Sequence, residues 1–239
     1  MAEVRQTKPV THEHHAVDKA QEFWTKYRKP FSIGLLAIIA VVAAYLAYNS
    51  FIKEPNDRKA EEAIFRAEEY FRMDSLDKAL NGDGVTQGLL RVISKYGSTD
   101  AGNRAQLMVG SIYLKKGDFK NAIKHLDEFS TSVDQLKARK LSLLGDAHSE
   151  LGFGSNSNSE KEKAADYYKQ AADQFPKDDI NSPEYLFRAG YLYESMGKNK
   201  EAIDAYKRIK ANYPSSQHGF EIDKYLARLG VLSDEENAK

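Results

Sequence analysis

The sequence predicts an all-α protein with one long apolar helix near the N-terminus and a series of helical hairpins after it. Residues 31–52 form a run of 22 residues without a charged side chain. Beyond this run, small and aromatic residues recur at regular spacings over most of the chain. These patterns divide the chain into a polar tail over residues 1–30, an apolar helix over residues 31–52 and a helical domain over residues 53–239.

The composition excludes several classes of function. The chain has 35 basic and 35 acidic side chains, so it has no general attraction for nucleic acid. It has no cysteine, which excludes disulfides, zinc–thiolate sites and cysteine nucleophiles. The sequence contains no H-E-x-x-H, P-loop, G-x-S-x-G or Rossmann motif. We therefore expect no catalytic residue, no metal, no cofactor and no small-molecule substrate.

The tail before the apolar run contains a short amphipathic pattern. Apolar side chains recur at three- and four-residue steps over residues 16–29 and predict a short helix, which Pro30 is expected to end. His12, His14 and His15 lie close together, but a tail without fixed neighbouring groups holds a metal poorly. We therefore predict that these histidines are solvated.

The apolar run is long enough to cross a membrane. A helix of its length spans roughly 33 Å, and a hydrocarbon core is about 30 Å thick. Aromatic residues precede it at Phe23 and Trp24 and lie near its end at Tyr45, Tyr48 and Phe51, as in interfacial belts. The alternatives are a buried helix of a soluble core and a cleaved signal peptide, whose apolar region is shorter. An uncleaved single-span anchor fits the pattern best.

The basic residues around the span leave its orientation open. Four Lys and Arg residues lie within about 20 residues upstream and five lie over a similar distance downstream. The rule that places the more basic flank in the cytoplasm therefore does not choose a side.

A repeated pattern of residues identifies the hairpins. In residues 182–216, small, aromatic and turn-forming residues fall at the spacings of a tetratricopeptide repeat: Ala189, Gly190, Tyr193, Gly197, Ala202, Tyr206, Ile209 and Pro214. The small residues allow the two helices to cross closely, and Gly197 allows the turn between them. The pattern resembles the tetratricopeptide family, and the resemblance implies a solenoid of helical hairpins. A generic helical domain with the same apolar stripes is the alternative.

Three further units share this frame, the first of them weakly. Gly110 and Gly145 are 35 residues apart, and Gly145 and Gly190 are 45 residues apart. The longer second interval includes residues 153–163, which we predict to be a flexible loop. The predicted turn positions are Gly117, Gly152 and Gly197. The predicted hairpins span residues 57–97, 103–134, 138–176 and 183–214, and a capping helix follows over residues 219–229.

The first helices of such hairpins line a groove that usually binds partners. In the first predicted hairpin, over residues 57–97, the second helix is expected to run from about Val85 to Tyr96. Apolar groove residues would be available to a peptide or a partner helix, unless the capping helix or the first repeat covers them. The family's groove positions correspond here to Arg104, Leu107, Ser111, Leu114, Arg139, Ser142, Asp146, Glu184, Phe187, Tyr191 and Glu194.

The whole arrangement over residues 16–229 resembles the YfgM family of bacterial envelope proteins. The resemblance implies an inner-membrane protein with a periplasmic repeat domain that acts as a chaperone or chaperone-adaptor. Its implied partners are Sec translocon subunits, a membrane-anchored periplasmic chaperone and unfolded secretory chains. Two alternatives are a structural scaffold of an envelope complex and a cytosol-facing receptor of inverted topology.

Overall fold

The computed structural model describes residues 12–231, with side chains described for Lys19 and from Gln21 onward. This part of the chain contains helices and no strand, apart from one isolated bridge between Gly82 and Gln87, which confirms the all-α prediction. The side chains of His12, His14 and His15 lie outside the described residues. The chain forms two compact units, Met1–Pro55 and Asn56–Lys239. The α-helices are α1 His12–Tyr48, α2 Glu54–Arg72, α3 Leu76–Asn81, α4 Leu89–Tyr96, α5 Asp100–Lys115, α6 Phe119–Glu128, α7 Asp134–Gly154, α8 Asn158–Gln174, α9 Asn181–Ser195, α10 Asn199–Asn212 and α11 Gln217–Arg228.

The N-terminal unit contains the apolar run. Helix α1 holds most of this run, and a π-helical segment, Asn49–Lys53, follows it. The chain has a helical stretch, Gln21–Arg72, that is long and apolar enough to cross a membrane, and no residue in its most apolar part is buried within the protein. Pro30 lies inside α1, so the expectation that Pro30 ends a shorter helix was wrong. Proline removes one backbone hydrogen bond, but its fixed φ is itself helical, so the helix continues on both sides.

Helices α5 to α10 form three consecutive hairpins in the second unit, and each hairpin closes around a glycine. A methyl group on any of these glycines would press against a core side chain of the second helix. The added Cβ would lie 2.6 Å from Leu126 at Gly110, 2.8 Å from Tyr168 at Gly145 and 2.3 Å from Tyr206 at Gly190. The close crossing expected from the small residues is therefore present in all three hairpins.

The middle hairpin departs from the predicted loop. Helix α7 continues to Gly154 and α8 begins at Asn158, so residues 153–163 are mostly helical and the prediction of a flexible loop was wrong. The turn residue is Asn156, with φ of 51°, rather than Gly152. The Ser157 hydroxyl accepts a hydrogen bond from the Glu160 backbone N–H (3.3 Å) and caps α8. The additional residues therefore lengthen two helices.

The first predicted hairpin, over residues 57–97, also differs from its prediction. Its second helix, α4, begins at Leu89 rather than Val85, and the short helix α3 precedes it. Val85 is exposed in the connecting loop, which Asp83 organises. The Asp83 carboxylate accepts hydrogen bonds from the backbone N–H groups of Thr86 and Val85 and from the Tyr70 hydroxyl. The Thr86 backbone N–H contributes most to holding the pKa of Asp83 well below its usual value.

Candidate interaction site

Two adjoining cavities form a channel along the first helices of the hairpins, which we call the A-helix channel. The larger cavity, of about 540 Å³, lies beside α5 and α7, and the smaller, of about 410 Å³, lies between α7, α9 and α11. Ser149, Tyr168 and Arg188 line both cavities, so the two lie side by side. The channel also includes Leu114, Lys115, Phe119, Asp146, Glu150, Phe153, Glu184, Phe187, Tyr191, Leu192 and His218.

A network of ion pairs around Arg188 crosses the channel floor. The Arg188 guanidinium donates to Asp146 on α7 (2.7 Å) and to Glu184 on α9 (2.6 Å). The Tyr168 hydroxyl donates to the same Asp146 carboxylate (2.7 Å). Burial works to lower the pKa of Arg188, but its carboxylate partners outweigh burial and raise the pKa. Burial also raises the pKa of Tyr168. Arg188 is therefore shared by two carboxylates of the protein.

The apolar part of the channel lies at its α11 end. The Phe187 ring stacks on His218 of α11, with ring centroids 4.2 Å apart, and meets the edge of Tyr225 at 4.9 Å. Helix α11 therefore partly covers Phe187. Tyr191 and Phe153 remain 53% and 47% exposed, and they present apolar surface to the channel.

The His218 ring also holds Glu184 in place. Its Nε2 atom lies 2.5 Å from the Glu184 carboxylate. Burial would raise the pKa of Glu184, but the hydrogen bonds from His218 and Arg188 outweigh it and leave the pKa lowered. Glu184 therefore joins α9 to the capping helix as a carboxylate.

The charges of the channel favour a partner without excess negative charge. Lys115 is paired with Asp74 (2.6 Å), and Arg188 is shared by two carboxylates. Glu150 is exposed and has no ion-pair partner among residues 21–231. A carboxylate of a ligand would thus compete with carboxylates of the protein for Lys115 and Arg188, whereas a basic side chain would find Glu150 unpaired.

The channel includes five of the groove residues predicted from the sequence: Leu114, Asp146, Glu184, Phe187 and Tyr191. Two others are directed into the protein, since Ser142 is 2% exposed and Leu107 packs against the cluster of Leu126, Leu143 and Leu144. Ser111, an eighth predicted residue, also lies outside the channel lining, and both Ser142 and Ser111 donate hydrogen bonds to carbonyls of their own helices.

The remaining three predicted residues lie away from the channel lining. Arg104 forms ion pairs with Glu61 (2.8 Å) and Glu68 (3.4 Å), and these raise the pKa of Arg104 and join α5 to α2. Glu194 accepts hydrogen bonds from Tyr206 (3.1 Å) and Arg228 (2.8 Å). Arg139 is exposed outside both cavities.

Sequence reasoning missed Arg188, which forms the centre of the ion-pair network. In the repeat frame Arg188 occupies the position of Met108 and Leu143, where an apolar residue is expected. A charged residue at an otherwise apolar repeat position was the available signal. It also missed Ser149, Glu150, Phe153, Tyr168 and His218.

An open channel on an array of helical hairpins defines a helical-repeat protein of the kind that binds other proteins. The tetratricopeptide repeat-like domain family matches residues 21–224, and the chain belongs to this family. Domains of this kind generally bind protein partners and are typically not enzymes. Among the described residues, no group of three His, Asp or Glu side chains is arranged to hold a metal ion.

A solved structure entitled "Crystal structure of MamA protein" is similar to this chain. The two are 19% identical, with a TM-score of 0.49, over 75% of this chain and 85% of the other. A similarity of this size carries no weight on function. Comparison with curated proteins finds no significant match.

Proposed function

We propose that the chain is a single-pass inner-membrane protein whose periplasmic repeat domain holds segments of other proteins in the A-helix channel. In this proposal it acts as an ancillary chaperone or chaperone-adaptor for chains emerging from the Sec translocon. The resemblance to the YfgM family supports the cellular setting. The exposure of Tyr191 and Phe153 beside Phe187, within a channel whose cations are already paired, is the observation that carries the binding role.

The channel suits an extended segment with apolar or aromatic side chains. Such side chains would cover Tyr191 and Phe153, and burial of apolar area stabilises association by about 25 cal/mol per Å² before the costs of binding are subtracted. The unpaired Glu150 carboxylate favours a neutral or basic residue next to the apolar ones. Secretory chains that have not yet folded expose segments of this composition.

Site-specific photo-crosslinking tests this role. A photoreactive amino acid at Tyr191 should capture secretory chains and translocon subunits in living bacteria, because that side chain lies in the channel and is exposed. The matched control places the same amino acid at Lys207, which is exposed on α10 and outside both cavities. We expect capture at position 191 and little at position 207.

Other crosslinking outcomes would replace the proposal. Equal capture at positions 191 and 207 would show that the channel is not a specific binding site. Capture of one stoichiometric envelope complex without translocon subunits or secretory chains would identify a structural scaffold instead.

A further inference from the structure

An aromatic ridge lies on α1 just before the apolar run, formed by Phe23, Trp24, Tyr27 and Phe31. All four rings are exposed, and the centroids of Phe23 and Tyr27 are 4.6 Å apart. With Pro30, the ridge encloses an apolar slot of about 370 Å³. At about 100° per residue, the four rings share one side of the helix. No side chain among the described residues of this unit covers the ridge.

Basic side chains flank this aromatic ridge. Lys26 and Arg28 fall beside its two edges at 100° per residue, whereas Lys29 lies on the opposite side of the helix. Lys26 and Arg28 are exposed, and the Lys26 ammonium lies 5.5 Å from the centroid of the Tyr27 ring. Within residues 19–30 there are four basic side chains against one carboxylate, that of Glu22. This end of the apolar helix is therefore strongly cationic.

The other flank of the apolar helix has a different charge. The first twelve residues after the apolar run, 53–64, contain three basic and four acidic side chains, so their charges nearly cancel. The cationic character thus belongs to the flank that also has the aromatic ridge. Charged and aromatic groups at this position in a membrane helix lie at the level of the lipid headgroups.

We propose that the aromatic ridge, with Lys26 on one edge and Arg28 on the other, forms a binding site for the headgroup of an anionic phospholipid. The lipid phosphate pairs with one of these two cations, and the adjoining part of its acyl chain lies in the slot between Trp24, Pro30 and Phe31. The proposal rests on the membrane anchoring in the proposed function and not on the channel. It assigns to this flank a preference for one lipid class, in addition to insertion itself.

The tryptophan in the ridge supplies a local probe, because Trp24 is the only tryptophan in the chain. The full-length protein is reconstituted in vesicles that contain phosphatidylcholine and phosphatidylglycerol at a fixed ratio. In parallel samples, one or the other lipid has acyl chains brominated close to the headgroup, and bromine quenches tryptophan fluorescence on contact. At equal mole fractions, brominated phosphatidylglycerol should quench Trp24 more strongly. The expected local enrichment is about fivefold, the factor that one well-placed Lys or Arg contributes at an anionic surface.

Two sets of substitutions locate the effect. The double variant Lys26→Gln, Arg28→Gln should lose the preference while both lipids still quench. The matched control Lys53→Gln, Lys59→Gln removes two cations from the other flank and should keep it. Equal quenching by the two lipids in the unsubstituted protein, or a preference that survives the variant Lys26→Gln, Arg28→Gln, would overturn the proposal. Quenching by neither lipid would show that the helix is not inserted, and crosslinking from Tyr191 would still test the channel separately.

Discussion

At the scale of single residues, Gly110, Gly145 and Gly190 set how closely the helices of each hairpin approach. Each lies against a large side chain of the following helix, and the tightest contact is at Gly190. The Tyr206 ring there is fully buried, and its hydroxyl donates to Glu194. The backbone of α9 is ordinary helix at Gly190, so its conformation does not require a glycine. The requirement comes from packing against Tyr206.

We expect Gly190→Ala to destabilise the repeat domain by about 1–3 kcal/mol, the usual cost of overpacking a core. The added methyl group would lie 2.3 Å from the ring of Tyr206, which is fully buried. Gly154→Ala is the matched control, because nothing lies within 4 Å of its Cβ position. Alanine there should raise stability by about 0.5–1 kcal/mol. Urea unfolding measures both changes, and equal effects of the two substitutions would contradict the packing argument.

Glu184 makes stability depend on pH in the acid range. Its pKa is lowered in the folded protein, so its contribution is complete above the unfolded value of about 4.3 and is lost as the pH falls. We expect Glu184→Gln to lower the Tm at neutral pH and to reduce the loss of Tm between about pH 5 and pH 3. Thermal unfolding over this range measures both effects. A pH dependence identical to that of the unsubstituted protein would show that the bonds to His218 and Arg188 contribute nothing.

At the scale of elements, α11 completes the array by covering the last hairpin. Ile222 and Leu226 of α11 are buried, whereas Phe220 on its other side is 78% exposed. We expect Ile222→Ala to cost about 2–5 kcal/mol, as for other large-to-small core substitutions. Phe220→Ala should stay within about 0.5 kcal/mol. Hydrogen exchange of α10 and α11 would detect the loss of packing. If the two variants exchange alike, α11 does not cap the array.

The boundaries of elements were predicted less well than their existence. The repeat frame located three hairpins, because residue size at the helix crossings is a direct consequence of packing. The middle turn was misplaced because Gly, Ser and Asn in residues 153–163 resemble a loop in composition. In the structure Asn156 occupies the left-handed turn position and Ser157 begins α8 with a cap. Composition alone does not separate a loop from a short turn with a helix cap.

The channel was harder to predict than the hairpins. Leu114, Asp146, Glu184, Phe187 and Tyr191 follow from the repeat frame and line the channel. Ser142 occupies the same repeat position as Phe187 but is buried, because neighbouring helices set the exact rotation of each helix. Arg188 depends on Asp146, which is 42 residues away in sequence, and no local pattern contains that pairing.

At the scale of the whole molecule, we propose that the apolar helix crosses a membrane and that the repeat domain lies outside the cytoplasm. The chain has no cysteine, so a single introduced cysteine can be labelled without background. Ser159 is an exposed position on α8 and lies beyond the residue that caps this helix. Thr7, in the N-terminal tail, reports the other side of the membrane.

The most direct test is labelling of these two single-cysteine variants with a membrane-impermeant maleimide, in bacteria whose outer membrane alone has been permeabilised. We predict that Ser159→Cys is labelled and that Thr7→Cys is labelled only after the inner membrane is opened. Labelling of Thr7→Cys and protection of Ser159→Cys would contradict the proposed topology, because the repeat domain would then face the cytosol. Secretory chains that emerge from the translocon on the periplasmic side would then not reach its channel.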